Sequence, residues 1–351
     1  VSPYSATRLE RFAACAFAHF LQYGMKLTER VEYEFKPMDM GNVMHEALES
    51  FAEEVRKRGL KWTELTEQER NEIADECLNN IVADYGNTVL KSSARNEYMI
   101  ERTRRILRRT VWALQKQLEQ GEFQPEGFEV TFGGGRIDRV DIMEDQNKVY
   151  VKVIDYKTGN TSFDLVYLYH GLQLQLMIYL DGALRVEQKK YPDKEIIPAG
   201  VFYYNIKDPM IQEKIDADVE AVSAGLMKEL KMNGLVQADP ELVYRMDSSL
   251  GSIPVAFNKD GSFRKNSSVA DRTQFAVLGR YVRTKIEKIR SSILEGDAEV
   301  SPYELGKKNA CTYCPYMTVC GFDRRLSGYE FRRLKNFSDE ELWKAFDREA
   351  E

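Results

Sequence analysis

Three consecutive segments with the sequence pattern of β-strands most constrain how this chain can fold. The segments alternate apolar with polar residues or are apolar throughout, and they span residues 128–132, 136–142 and 149–156. Turn-forming residues at 133–135 and 145–147 separate them, so we predict a three-stranded meander. A helical pattern over 165–184 and a further strand pattern over 196–206 follow. The predicted fold class is therefore α/β, with helices packed on a mixed sheet.

Helical patterns lie on both sides of this predicted sheet. Apolar residues recur at helical spacing in four segments before the sheet and two after it, at 5–23, 40–58, 68–85, 95–119, 211–231 and 270–294. Ser5 is the expected N-cap of the first helix, and Gly24 is expected to end it. With 351 residues, of which 43% are hydrophobic, the chain can bury the large core that such an arrangement needs.

Composition and charge exclude several classes of protein. The net charge of -6 and the pI near 5.5 rule out a surface that is basic throughout, so any contact with nucleic acid must be confined to a groove. No apolar run is long enough to span a bilayer, and the N-terminus lacks the pattern of a signal peptide, so we expect a cytoplasmic protein without membrane contact. Val1 is not an initiator methionine, and we expect the chain to be part of a longer protein.

Residues 151–159, VKVIDYKTG, end the third predicted strand with a carboxylate and an ammonium group. Because side chains alternate between the two faces of a strand, Asp155 and Lys157 project from the same face. Asp138 lies on the second strand, in GGGRIDRVDI, and the meander places it beside Asp155. Two adjacent carboxylates repel each other unless a proton or a cation lies between them. A divalent cation that prefers hard oxygen ligands, Mg²⁺ or Mn²⁺, meets that requirement.

Three further side chains are candidate members of this site, and a fourth, that of Asp141, is an alternative to Asp138. His45, in GNVMHEALE on the second helix, is a candidate third metal ligand. Gln175 and Tyr179 are four residues apart and share one face of the helix that follows the third strand. Asp141 should point to the opposite face of the strand from Asp138, so only one of the two can lie beside Asp155. The alternative for each of these residues is ordinary packing of an amphipathic element.

Three of the five cysteines are crowded near the C-terminus, in NACTYCPYMTVCGFD, and they are Cys311, Cys314 and Cys320. A short segment of this kind can direct three thiolates at one metal centre, and a fourth ligand must come from elsewhere in the chain. Cys15 is the first candidate, with His19 and Cys77 as alternatives, and Cys77 is better explained by packing in a core. The spacing is compatible with a four-thiolate zinc site or with an iron-sulfur cluster.

In their order and spacing, GNVMHE, GRIDRVD, VIDYKTG and QLMIY resemble the motifs of RecB-type nucleases in the PD-(D/E)XK superfamily. The sequence is most similar to the C-terminal nuclease domains of AddB-type subunits, and the similarity extends to LVYRMD and PYELGKKNACTYCPY. The resemblance implies a PD-(D/E)XK core, a mixed sheet flanked by helices with helical additions. It also implies a single nuclease domain over 1–351. Its expected parts are an N-terminal helical part (1–125), a catalytic sheet core (126–207), a helical extension (208–300) and a cysteine-cluster segment with the C-terminal tail (301–351).

The resemblance also implies roles for the candidate residues. The site residues are His45, Asp138 and Asp155 as ligands of Mg²⁺ or Mn²⁺, Lys157 as the catalytic lysine, and Gln175 and Tyr179 as the family's Q-x-x-x-Y element. The implied ligands of a [4Fe-4S] cluster are Cys15, Cys311, Cys314 and Cys320. Such a cluster would act as an iron-sulfur staple that holds the first and last parts of the domain together. Ala16 departs from the family pattern, in which proline commonly follows the first cysteine.

The function that the resemblance implies is that of a metal-dependent DNA nuclease. An AddB-type domain would act as an exonuclease on single-stranded DNA at broken ends, in double-strand-break repair and recombination. Its partners would be an AddA-like helicase-nuclease subunit and the N-terminal part of its own subunit. The chain contains no G-x-x-x-x-G-K-[ST] motif, so it is not itself the helicase motor. Two alternatives stay open: a free-standing RecB-like exonuclease of the CRISPR-associated type, and an inactive iron-sulfur module that binds DNA or serves as a scaffold.

Two basic stretches are candidate contacts for a phosphate backbone. In the first, ERTRRILRRT, the candidate DNA-binding residues are Arg102, Arg105 and Arg109. The basic residues of the second stretch, in the C-terminal tail, are Arg324, Arg325, Arg332, Arg333 and Lys335. The alternative for both stretches is a solvated surface whose arginines pair with acidic residues.

Overall fold

The protein is built around a six-stranded mixed sheet. A computed structural model describes residues 4–28, 37–84, 94–133, 135–211 and 218–350. In chain order, which is also their order across the sheet, the strands are β1 (Gln124–Phe132), β2 (Gly135–Asp145), β3 (Lys148–Lys157), β4 (Glu195–Asn205), β5 (Asn233–Gln237) and β6 (Val269–Ala270). The first three strands form the predicted antiparallel meander, and β4 runs parallel to β3. The predicted α/β fold class is confirmed.

Helices cover both faces of this sheet and extend from it. They are α1 (Ala6–Ala14), α2 (Ala16–His19), α3 (Pro37–Lys57), α4 (Glu67–Asp84), α5 (Ala94–Leu118), α6 (Leu165–Tyr169), α7 (Gln175–Lys190), α8 (Val219–Glu229), α9 (Pro240–Met246), α10 (Arg272–Leu294), α11 (Met317–Cys320) and α12 (Asp339–Ala350). A second, three-stranded sheet contains β7 (Tyr303–Leu305), β8 (Lys308–Asn309) and β9 (Arg332–Arg333). Within the described ranges, no helix is long and apolar enough to cross a membrane.

Each face of the large sheet has its own hydrophobic core. On one face, α3, α4 and α5 contribute buried residues such as Phe51, which pack with Ile154 of β3. On the other face, α1, α7, α10 and α12 contribute residues such as Leu9 and Leu176, which pack with Val153. The sheet is therefore a middle layer, and burial on both faces is the main source of its stability.

The alternation of β3 determines where its charged residues lie. The residues that join the α7 core are Val149, Val151 and Val153, and those that join the α3 core are Tyr150, Ile154 and Tyr156. Branched and aromatic residues at these positions favour a strand because they pack well on a pleated surface. Asp155 and Lys157 continue the valine row. The end of β3 therefore presents a carboxylate and an ammonium group toward α7.

The prediction of one continuous helix over 5–23 is wrong. Ser5 caps α1 as expected, but Cys15 has extended backbone angles (φ -165°, ψ 118°) and separates α1 from α2. The chain then continues into a π-helical turn over Phe20–Gly24. Alanine and phenylalanine around the break are compatible with helix, so no local signal marks it. The break turns Cys15 toward the C-terminal cysteines. This contact joins distant parts of the chain, so it is a tertiary interaction.

Two other regions also differ from the sequence-based expectation. The predicted helix over 165–184 is divided into α6 and α7, because Gly171 adopts a positive φ of 77° between them. The region expected to be helical after 208 also contains β5 and β6, which extend the sheet beyond β4. Tyr85, the expected end of one helix, and residues 212–217 of another lie outside the described residues.

Candidate active site

The candidate site lies where β2 and β3 separate. The antiparallel register of the two strands ends at Arg139 and Ile154. Beyond that point, the backbone N–H of Tyr156 donates a 2.7 Å hydrogen bond to Oδ2 of Asp138. Because β3 remains paired with β4 as far as Lys157, the cleft opens on the β2 side of β3. The Asp138 carboxylate therefore accepts a hydrogen bond from a backbone N–H that is not used in pairing β3 with β2.

Asp155 and Lys157 lie side by side at the end of β3, as their spacing predicts. Lys157 Nζ is 2.6 Å from Oδ2 of Asp155, and it also lies 5.5 Å from the centre of the Tyr203 ring. Asp155 is almost completely buried. Burial and the neighbouring charge of Asp138 raise the pKa of Asp155 to about 7, although Lys157 opposes the shift. When both are ionised, Asp138 and Asp155 carry two negative charges, and Lys157 supplies one permanent positive charge beside them.

Gln175 and Tyr179 reach this pair from the first two turns of α7. Oε1 of Gln175 accepts a 2.8 Å hydrogen bond from Lys157 Nζ, and its Nε2 donates a 2.9 Å bond to the Tyr179 hydroxyl. An ammonium group can only donate, so the amide oxygen must face Lys157 and the amide nitrogen must face Tyr179. The two side chains together fix the position of the lysine ammonium group.

His45 projects into the cleft from α3. Its Nε2 lies 3.1 Å from the carbonyl oxygen of Tyr156, which can only accept, so Nε2 carries a proton. Its Nδ1 lies 3.4 Å from Oδ2 of Asp138 and 3.8 Å from Oε1 of Glu129. Burial disfavours the imidazolium form, but the two carboxylates outweigh this effect and raise the pKa of His45 to about 10. Without a metal, the protonated ring is the cation between the carboxylates.

Glu129 is a member of the site that the sequence analysis missed. The β1–β2 register pairs Phe128 with Arg139 and Val130 with Ile137, which puts Glu129 opposite Asp138. Its φ of 49° is unusual for a residue other than glycine, and Arg136 forms an ion pair with its carboxylate. Glu129 could have been identified from the pairing of β1 with β2. That pairing can be predicted only if the position of the bulge in β1 is known.

These residues fit a divalent cation. Nδ1 of His45 and one carboxylate oxygen each of Glu129 and Asp138 lie within 4.8 Å of one another. Oδ2 of Asp155 is buried and, apart from the adjacent Lys157 ammonium, receives no hydrogen bond from any residue that the structure describes. Carboxylates with one imidazole are a donor set suited to Mg²⁺ or Mn²⁺. Glu129 pairs with Arg136 and Asp155 with Lys157, so a metal ion that replaces the His45 proton supplies the positive charge next to Asp138.

Asp141, the rival to Asp138, belongs to a different cluster. It is completely buried on the opposite face of β2, where Nε of Arg139 lies 2.6 Å from its Oδ1 and Nζ of Lys152 lies 3.0 Å from its Oδ2. Burial favours the neutral form of Asp141, but the two cations hold its pKa below the ordinary value. Asp141 therefore has its own permanent partners and faces away from the cleft.

The four cysteines that the resemblance implies as ligands come together around one small pocket, and they are Cys15, Cys311, Cys314 and Cys320. Burial, together with the three other cysteines, raises the pKa of the Cys311 thiol to about 11. His19 accepts a 3.1 Å hydrogen bond from Arg8, and Cys77 is buried in the α3 core, so neither alternative lines the pocket. The interruption of the first helix at Cys15 makes this convergence possible.

The arginines of α5 mostly contact groups of this chain. Arg105 lies 2.6 Å from Asp208, and the Arg109 guanidinium lies 5.3 Å from the centre of the Trp112 ring. Arg102 is exposed. In the tail, the contacts are Arg324 and Arg333 with Glu304, Arg325 with Asp323, Lys335 with Glu341, and Arg332 with the carbonyl oxygen of Ala13. These pairings favour the charge-paired interpretation of the tail, whereas contact of DNA with Arg102, Arg105 and Arg109 stays a prediction.

Comparison with known proteins identifies relatives of the whole chain. The family model of the PD-(D/E)XK nuclease superfamily matches residues 3–321. A protein of Lachnoclostridium phytofermentans, named as the B subunit of an ATP-dependent helicase/deoxyribonuclease, is 43% identical over 99% of this chain and 32% of its own length. Proteins of the same name from Thermoanaerobacter sp. and Clostridium acetobutylicum are each 35% identical, over 99% and 98% of this chain. The chain spans about a third of the length of these curated relatives.

Proposed function

The chain belongs to the PD-(D/E)XK nuclease superfamily, and from that premise we propose that it is the metal-dependent deoxyribonuclease domain of an AddB-like helicase-nuclease subunit. One observation carries the proposal. Where β2 and β3 separate, the carboxylates of Asp138 and Asp155 lie with the Lys157 ammonium at one cleft. This arrangement suits hydrolysis of a phosphodiester, whose transition state gains negative charge.

His45, Glu129, Asp138 and Asp155 are the proposed ligands of Mg²⁺ or Mn²⁺. When bound, the cation supplies Lewis-acid stabilisation of charge on the scissile phosphate. His45 would bind through Nδ1, because its Nε2–H donates to the Tyr156 carbonyl oxygen. The Tyr156 N–H holds the Asp138 carboxylate in place, so the ligand geometry is built into the two strands.

Lys157 is the proposed catalytic lysine. Its ammonium group has three donors; Gln175 accepts from one, and the Asp155 carboxylate lies beside another. The remaining donor can bind a phosphate oxygen and stabilise the transition state. Gln175 touches the reacting lysine, and Tyr179 acts through Gln175. We therefore treat both as positioning residues for the ammonium group.

The cysteine pocket is proposed to hold a [4Fe-4S] cluster. Its four cysteines converge from the two ends of the chain on one pocket, and a [4Fe-4S] cluster takes four thiolate ligands. Zinc is the alternative for the same four thiolates. Because Cys15 and Cys311 are far apart in sequence, such a cluster would act as a structural staple.

The proposed substrate is single-stranded DNA at broken ends, cut as an exonuclease during recombinational repair in the cytoplasm. The name shared by the relatives supports this context, and so does the coverage of only a third of their length. The helicase motor would be an AddA-like subunit, and the rest of the AddB-like subunit would complete the complex. A single nuclease domain over 1–351, with the catalytic core at 126–207, is part of the same proposal.

Cleavage of labelled single-stranded DNA with Mg²⁺ or Mn²⁺ tests the proposed function. Asp155→Asn should lower the rate at least about 100-fold, because it removes a charged ligand without changing side-chain volume. The matched control is Asp145→Asn, at the opposite end of β2, which should leave the rate unchanged. Equal cleavage by the parent and Asp155→Asn would contradict the active-site assignment.

Metal analysis tests the cluster. Cys15→Ala should lose iron and the broad visible absorption of an iron-sulfur protein, whereas Cys77→Ala should keep both because Cys77 packs only in the α3 core. Zinc in place of iron in the parent would overturn the assignment of the cluster. Normal iron content and normal thermal stability in Cys15→Ala would overturn the assignment of the fourth ligand.

A further inference from the structure

The first turn of α7 is capped by a residue from another helix. Leu174 occupies the N-cap position of α7, and its side chain has no oxygen that could accept a hydrogen bond. Oε1 of Glu10, on α1, accepts hydrogen bonds from the backbone N–H groups of Leu174 and Gln175, at 2.7 and 2.9 Å. A carboxylate is well suited to this position, because the N-terminus of a helix carries partial positive charge.

The residue that Glu10 holds is the one that orients the lysine. The Gln175 backbone N–H binds Glu10, and its side-chain Oε1 accepts from Lys157 Nζ at 2.8 Å. Lys157 in turn lies 2.6 Å from Asp155. A continuous series of polar contacts thus runs from α1 to the catalytic pair. Burial raises the pKa of Glu10 to about 7, and the charge of Lys157 opposes that shift, so the two groups interact electrostatically as well.

Helix α1 is held in place on both sides of Glu10. Leu9, next to Glu10, is completely buried in the α7 core. At the C-terminal end of α1, the Arg332 guanidinium donates to the carbonyl oxygen of Ala13, and Cys15 enters the cysteine pocket. Arg11 Nη2 also lies 3.8 Å from Sγ of Cys314. The helix that carries Glu10 is therefore fixed by the cysteine region on one side and by the hydrophobic core on the other.

We propose that Glu10 is a positioning residue for the nuclease reaction, and that it sets the place of the Lys157 ammonium group through Gln175. The inference rests on the proposed function. It also gives the cysteine region a way to affect catalysis without taking part in chemistry, because α1 connects Cys15 to Glu10 within five residues.

Steady-state cleavage of single-stranded DNA by variants of the full chain tests this proposal. Glu10→Ala should lower kcat about 10- to 100-fold with little change in KM, because a displaced lysine weakens the transition state more than substrate binding. Glu10→Gln keeps an oxygen that can accept from both N–H groups and should recover most of kcat. It also provides the test if Glu10→Ala does not fold.

Asp239→Ala is the matched control for loss of a helix cap. Asp239 accepts from the N–H groups of Glu241 and Leu242 at the start of α9, with the same two-bond geometry but no contact with the lysine. Asp239→Ala should lower Tm and leave kcat unchanged. A loss of kcat in Glu10→Ala no greater than in Asp239→Ala would overturn the proposal.

A double-mutant cycle separates positioning from general destabilisation. If Glu10 acts through Gln175, Glu10→Ala should have almost no further effect on kcat in a Gln175→Ala background. Additive effects would mean that Glu10 acts independently of Gln175, and the inference would fail while the proposed function stands. A parent no more active than Asp155→Asn would remove the proposed function and this inference together.

Discussion

Strands β2 and β3 carry one cluster of charges on each face, and the two clusters differ in how well permanent cations match their carboxylates. The balanced cluster has two permanent cations around one carboxylate, and the unbalanced cluster has two carboxylates beside one permanent cation. On the α3 face, Asp141 lies between Arg139 and Lys152. On the α7 face, Asp138 and Asp155 have Lys157 as their nearest permanent cation. Both clusters are largely buried and are only a few residues apart on the same strands. Burial alone therefore does not decide what each cluster does.

The pKa values express the difference. Arg139 and Lys152 hold the pKa of Asp141 below its ordinary value despite complete burial. The pKa of Asp155 is raised to about 7 by burial and by the repulsion from Asp138. In the first cluster two permanent cations keep the one carboxylate ionised, and this cluster serves the fold. The second has a deficit of permanent positive charge, which either the His45 proton or a metal ion can fill, and such a perturbed group is the physical mark of a binding site.

The largest expected effect is on the balanced cluster. Asp141→Asn leaves the buried Arg139 and Lys152 without their carboxylate, so it should lower the free energy of unfolding by about 3–5 kcal/mol. Urea unfolding followed by circular dichroism measures this change. The control, Asp145→Asn on the same strand, removes only a partly exposed pair with Arg245 and should cost much less. A similar small cost for Asp141→Asn would mean that the two clusters do not differ as described.

The unbalanced cluster should respond in the opposite direction. Because the folded state raises the pKa of Asp155, protonation stabilises the fold below about pH 4, and this contribution is lost as the pH rises through about 7. Asp155→Asn removes the charge, so without metal it should be more stable than the parent by about 4 kcal/mol at pH 8, with the difference vanishing near pH 4. Thermal unfolding with chelator present measures both. Added Mg²⁺ should stabilise the parent and not the variant; a variant less stable than the parent at pH 8 would contradict the charge deficit.

The sequence predicts the part of this site that depends on local pattern. Alternation along β3 and the short turns of the meander were sufficient to put Asp155 beside Lys157 and Asp138 in the neighbouring strand. The same alternation separates Asp138 from Asp141, as the two clusters require. These inferences hold because strand period and turn chemistry act over a few residues.

The missed residues depend on interactions between distant parts of the chain. Glu129 lies opposite Asp138 only in a register that includes the bulge between Pro125 and Gly127, and its φ of 49° has no sequence signal. Nothing near Glu10 in the sequence indicates the α7 N-terminus that it caps. A local pattern cannot supply such contacts, since they exist only after the helices have packed on the sheet.

The smallest expected effect concerns His45, the cation of the unbalanced cluster whose proton a metal ion can replace. Carboxylates on either side of Nδ1 raise the pKa of His45 to about 10, so the metal-free protein is protonated there at neutral pH. The stabilisation from this proton is complete below about pH 6.5 and is lost as the pH rises through about 10.

A metal ligand must be deprotonated, so binding of Mn²⁺ should release about one proton, and the affinity should rise by about 1.4 kcal/mol per pH unit between pH 7 and 9. Calorimetry in two buffers of different ionisation enthalpy measures the proton. His45→Gln should bind without that pH slope, and an equal slope in both proteins would show that His45 is not the exchanging group.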